Sequence, residues 1–251
     1  MSQSESTITS SQTSEIDAGL RSHMLGVYRE MSIALGISGL ISWVFGHDLA
    51  ALAGDGATFI PSGIVSAIYQ SPLIWLVVLA PLAMCFMIGK MMRDASPRGM
   101  RTFLYAFAVL FGLSLAFIFV QYTGLMIAQA FFVTAGSFAG LSLWAYTTKK
   151  DISGWGSFLT IGLLGIILAS IVNLFVGSGP LDMTITVIGV FIFAGFTAYD
   201  TQKLKNDYLS WREVMSEDEA AKLGTLGALT LFLDFVLLFQ FILDLLNITS
   251  E

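Results

Sequence analysis

Seven apolar runs, each close to twenty residues long, constrain this chain more than any other feature. They lie at about 27–46, 72–92, 102–120, 124–146, 157–177, 183–202 and 223–247. A hydrocarbon core about 30 Å thick is crossed by roughly 20 apolar residues in a helix. In lipid every backbone N–H and C=O must be satisfied within the protein, which a continuous helix achieves. With 55% hydrophobic and only 12% charged residues and a mean hydropathy of +0.78, there is too little polar surface to cover a soluble domain. The expected fold class is therefore all-α, a polytopic membrane protein with seven transmembrane helices.

The net charge of -6 says less than the placement of the cations. If the N-terminus is cytoplasmic, all twelve Lys and Arg fall on the cytoplasmic side: Arg21 and Arg29; Lys90, Arg93, Arg98 and Arg101; Lys149 and Lys150; Lys203, Lys205, Arg212 and Lys222. The opposite connections carry none, which is the positive-inside pattern and predicts N-terminus inside, C-terminus outside. Residues 1–22, rich in Ser and Thr and without the apolar core or basic start of a signal peptide, read as a disordered cytosolic tail, and 23–251 as the transmembrane domain.

Between the spans, the Gly46–Ser71 connection with its GDGATFIPSG segment reads as a turn-rich loop. Ser216 with Glu219 predicts a capping box at the start of the last helix. Gly36 and Gly39 in the first span, and Gly136 and Gly140 in the fourth, have the spacing of close helix packing within the chain.

Asp234 interrupts the last span, LGTLGALTLFLDFVLLFQFILDLL. If the helix enters lipid near Leu226, Asp234 lies about 12 Å inside the boundary at about 1.5 Å rise per residue. An ionised acid there costs on the order of 2.5–3.5 kcal/mol on insertion scales, so it faces a bundle interior, a partner or water. Asp200 falls about 5 Å within the core at the end of the sixth span. If the two approach, both do not readily ionise, and they titrate as one unit. Such a pair can sense pH, hold a cation or carry out acid–base chemistry. Taken alone, Asp200 also reads as a helix-end acid paired with Lys203 or Lys205. Asp244 reads as an interfacial or outer vestibule acid, and Glu30, beside Arg29, as an interfacial one.

The segments Ala198-Tyr199-Asp200-Thr201-Gln202-Lys203-Leu204-Lys205 and Ala228 to Phe239 (ALTLFLDFVLLF), with Thr147-Thr148-Lys149-Lys150-Asp151-Ile152-Ser153 after the fourth span, resemble the Bax inhibitor-1 (TMBIM) family, particularly its bacterial members. The resemblance implies six helices surrounding a central seventh, with Asp200 and Asp234 as a pH-sensitive dyad near the cytoplasmic mouth. It also implies calcium leak, with a basic residue at the end of the second helix pairing with the dyad in the closed state; Arg93 is the first choice here and Lys90 the second. Gln129 stands where many members have Glu, which puts an acidic contribution from the fourth helix in doubt. The implied location is the bacterial plasma membrane.

Three functions follow for comparison. A pH-gated calcium or cation leak would use the dyad as a weak site, since calcium takes six to eight oxygens and two carboxylates leave the rest to water and backbone carbonyls. A regulator that binds a membrane protease or other membrane complex, without transport of its own, would use the Ser-rich tail or the loop from Trp211 to Glu219. An intramembrane aspartyl protease would share Tyr199-Asp200, but the companion Gly-x-Gly-Asp is replaced by Leu231-Phe232-Leu233-Asp234. Two histidines, His23 and His47, and the lack of Gly-x-Ser-x-Gly disfavour metal and serine hydrolases. The expected protein is not an enzyme, holds no cofactor beyond calcium as a transported or weakly bound ion, and has the bilayer rather than nucleic acid as its surroundings.

Overall fold

A computed structural model describes the chain's side chains over residues 18–52 and 58–250. The expected tail over residues 1–22 lies outside the described residues as far as residue 17, and its remainder, 18–22, is instead the start of the first helix, with Leu20 buried in the core. Among the described residues every regular element is a helix. The seven spanning segments are Ala18–Ala51 (α1), Leu73–Asp94 (α3), Pro97–Gln121 (α4, Pro97–Leu115, continued by α5, Ile118–Gln121), Gly124–Thr147 (α6), Trp155–Val176 (α7), Gly179–Trp211 (α8) and Glu217–Ser250 (α9). Each apolar run of the sequence lies in one of them. The helices extend past the runs because their polar ends need no lipid contact.

Local chemistry sets the ends. Ser96, Thr123 and Ser178 cap α4, α6 and α8 by accepting from Gly99 N (3.2 Å), Met126 N (3.3 Å) and Leu181 N (3.4 Å). The predicted capping box opens α9: Glu219 N donates to Ser216 Oγ (3.3 Å) and Ser216 N to Glu219 Oε2 (2.9 Å). Gly177 closes α7 in the left-handed conformation, φ 63°, a backbone state that a Cβ disfavours.

α9 is the central helix. Of its most apolar window 67% is buried, against 11–39% in the other spans. It packs against α8, α1, α6, α4 and α3, while α7 lies on the outside of α8. Its buried face, Leu231, Phe232, Phe235, Leu238, Phe239, Ile242 and Leu243, joins Phe107 of α4, Phe138 of α6 and Phe193 of α8 in one core. In lipid, this packing comes from dispersion contacts and close backbone approach rather than from exclusion of water.

Two expectations are corrected. A Cβ built on Gly36, Gly39, Gly136 or Gly140 meets nothing within 4 Å, so these glycines do not pack helices together within the chain. The close approaches occur elsewhere: Gly112 against the backbone of Ser38, Gly46 against Ala116 and Phe119, Gly189 against Phe241 and Gly195 against Leu159. Small-residue spacing marks a thin helix face but not which neighbour uses it. Within the supposed turn-rich loop, Ser62–Tyr69 is a helix, α2. Buried Asp48 latches the segment before it, accepting from Phe59 N (2.9 Å) and Ile60 N (2.7 Å). Tyr69 then ties α2 to α4 by donating to Leu113 O (2.9 Å).

Candidate functional site

Asp234 projects from the central helix and is 6% exposed. Asp200 comes from α8, the helix that packs most extensively on α9, and is half-buried. Their carboxyl groups are close neighbours, each acting on the other's charge. Ionised carboxylates only accept and repel one another, so such an approach favours a proton on one of them or a cation between them. One Asp234 oxygen, Oδ2, is buried without a hydrogen-bond donor from the described residues. Lys203, three residues along the same helix, is the cation that faces Asp200. Among the described residues no ion pair joins Asp200 to Lys203 or Lys205, so the helix-end pairing allowed by its sequence position is not formed.

Around the pair, successive residues of the α8 motif reach different elements. Thr201 donates to Thr197 O (2.7 Å) and lies 3.2 Å from Ser142 Oγ of α6. The α1 residue Tyr28 lies on the same side of the bundle as Ser142 and lines a crevice with it. Gln202 clamps the α6–α7 connection, accepting from Ile152 N (2.8 Å) and donating to Lys150 O (2.8 Å). In that connection Ser153 hydrogen-bonds Asp151 and holds its carboxyl below the usual carboxylate range. Lys205 leaves the dyad, donating to Tyr146 O (2.7 Å) and resting over the Tyr146 ring. Tyr199 packs its phenol on Gly156 of α7.

The basic partners drawn from the resemblance are not at the dyad. Arg93 is exposed and pairs with its neighbour Asp94 (3.1 Å), and Lys90 is exposed on α3. As the C-terminal turn of α3, this segment ends among polar connections, where an arginine is solvated more cheaply than beside the bundle core. The cation that joins α3 to α9 is Lys222, which donates to Met92 O (2.8 Å). Gln129 is exposed on α6. Asp244 is half-buried and accepts from Tyr122 Oη, with Asp182 of α8 nearby. It lies ten residues beyond Asp234 on α9, so the helix separates the two by about 15 Å.

Glu30 has partners beyond its own helix. The protein buries it to 6% exposure, and beyond the neighbouring Arg29 (3.1 Å) it gathers Arg101 of α4 (3.6 Å) and the Tyr105 hydroxyl. Sequence reading registered Glu30 beside Arg29 but had no signal for α4, more than seventy residues away. Among the described residues no group of three or more His, Cys, Asp or Glu side chains converges as a metal site. A cation at the dyad would thus have two carboxyl groups, with water or backbone oxygens as its further ligands. Toward the C-terminal end of α9, buried Leu238, Phe239, Ile242 and Leu243 form an apolar seal beyond the pair.

Comparison with known proteins places this arrangement. The chain matches the family model described as inhibitor of apoptosis-promoting Bax1 over residues 20–251. It is 41% identical over 231 residues to an uncharacterised protein of Caulobacter vibrioides, covering 91% of this chain and 89% of that protein. It is 39% identical over 229 residues to the inner membrane protein YbhL of Escherichia coli, covering 90% and 91%. A Rickettsia prowazekii protein is 33% identical over 240 residues, covering 95% and 94%. Seven spanning helices and bacterial relatives named as membrane proteins make this a multi-pass bacterial membrane protein. With the family model matching from α1 to the end of α9, the chain belongs to the Bax inhibitor-1 family.

Proposed function

We propose that the protein is a pH-sensitive cation leak pathway, with calcium as the transported ion, gated by Asp200 and Asp234. The single observation that carries this reading is the close approach of two carboxyl groups, one on the central helix and one on its main neighbour, within the membrane-spanning bundle. Losing the proton that such an approach favours places two negative charges side by side in a poorly solvated site. That repulsion favours either separation of α8 from α9 or entry of a cation, and both alter the seal above the pair. Protonation removes the attraction for a cation as well as the repulsion between helices, so the direction of the response depends on which effect is larger.

The test is calcium flux into dye-loaded liposomes between about pH 6 and pH 8, around which a coupled buried pair can titrate. Native chain, Asp234→Asn and Asp200→Asn are reconstituted in equal amounts, with helical content verified. We expect a pH-dependent leak in the native protein and a flattened pH profile in both variants, since Asn keeps the shape and removes the titration. A native protein that leaks no more than empty liposomes would sink the transport reading and favour a regulator that binds another membrane complex.

A further inference from the structure

A crevice of about 1050 Å³ opens along the bundle between α1 and α6, at the top of the roughly 300–1,000 Å³ range of small-molecule sites. On α1 its lining runs from Arg21 to Trp43, about 33 Å at 1.5 Å per residue, the thickness of a hydrocarbon core. On α6 it runs from Phe131 to Tyr146, and Phe235 of the central helix forms part of its floor. Both helices pack on α8 and α9. Gly36 and Gly39, whose missing side chains leave open space, give the crevice its depth.

Its chemistry is polarised. Among the described residues Arg21 is the one charged side chain in the lining, at the end where Tyr146 also lies with Lys205 over its ring. The body is apolar: Met24, Leu35, Leu40, Ala139 and Leu143 among others. An apolar trench as long as a bilayer is thick, with a guanidinium at one mouth, is complementary to an amphipath with an anionic head and a long hydrocarbon tail. We propose that the crevice is a binding site for an anionic phospholipid of the surrounding bilayer, its headgroup on Arg21 and an acyl chain laid between α1 and α6. Tyr28 and Ser142 line the same crevice, and Ser142 accepts from Thr201, the residue after Asp200. The bound chain covers the lateral approach to that polar string.

Charge complementarity favours a lipid over a second copy of the chain, because the same mouth on a second copy would bring another Arg21 rather than an anion. The test uses the full chain extracted in detergent and re-equilibrated with phosphatidylglycerol or phosphatidylcholine at matched concentration, with retained lipids counted by native mass spectrometry. We expect one phosphatidylglycerol held under conditions that strip phosphatidylcholine. Arg21→Gln should weaken its retention about fivefold, the scale of one basic side chain at an anionic headgroup. Gly36→Leu places its side chain in the open space and improves helix propensity, so it should fill the crevice in a folded chain and lower retention similarly. Arg98→Gln, in the α3–α4 connection and away from the crevice, should keep native retention. Equal retention of the two lipids, native retention in either Arg21→Gln or Gly36→Leu, or a two-copy species without lipid would each overturn the proposal.

Discussion

Glu30 and Asp234 are both carboxyl groups buried to 6% exposure, yet their surroundings give them different tasks. Glu30 is surrounded by donors, with two arginines and a tyrosine hydroxyl, so its charge is compensated and the cluster joins α1 to α4. Asp234 faces another acid and keeps an oxygen without a hydrogen-bond donor from the described residues. Tyr105→Phe removes one bond to a buried charged acceptor and should lower stability by about 1.5–3 kcal/mol. Glu30→Ala should cost at least as much, because it removes the same bond together with both arginine pairs, which, with the arginines 65% and 47% exposed, add little. Thermal unfolding followed by helical signal, with Asp94→Ala at the exposed Arg93 pair as a near-neutral comparison, checks both. Equal melting for all three would show that the cluster does not hold α1 to α4.

At the scale of elements, α3 shows how a helix tolerates a proline in the bilayer. Pro81 has no N–H for the carbonyl four residues back, that of Val77. Ser114 of α4 supplies the missing donor, at 2.8 Å. Ser114→Ala should leave that carbonyl unpaired, cost about 1–3 kcal/mol, and speed amide exchange around residues 77–85 more than in α4. Unchanged exchange there would mean that Ser114 does not stabilise α3 around Pro81. Much of this scale was legible in advance: the seven spans, the capping box of α9 and the intramembrane position of Asp234 all follow from hydropathy and spacing. The Ser114–Val77 bond did not follow, because the need arises in α3 and the donor sits 37 residues later. The glycines misled for a related reason. Their spacing is a property of one helix face, whereas packing is a property of two.

For the whole molecule, the decisive feature is a central helix that carries Asp234 near its middle and, beyond it, the buried apolar layer of Leu238, Phe239, Ile242 and Leu243. If the seal limits the proposed leak, Leu238→Ser should raise calcium flux at every pH without abolishing its pH dependence, whereas Asp234→Asn should flatten the profile. Flux from Leu238→Ser at the native level would remove the seal from the gating scheme. The sequence by itself determined the seven helices, their apolar faces and the presence of two acids at membrane depth, because the cost of polar groups in lipid is paid residue by residue along the chain. Only the tertiary structure decided that Asp200 meets Asp234, that Gln202 holds the α6–α7 connection, that Arg93 and Lys90 stay away from the pair, and that α1 and α6 leave a crevice between them. These depend on the rotation and height of each helix relative to its neighbours, which close side-chain packing sets and hydropathy does not encode.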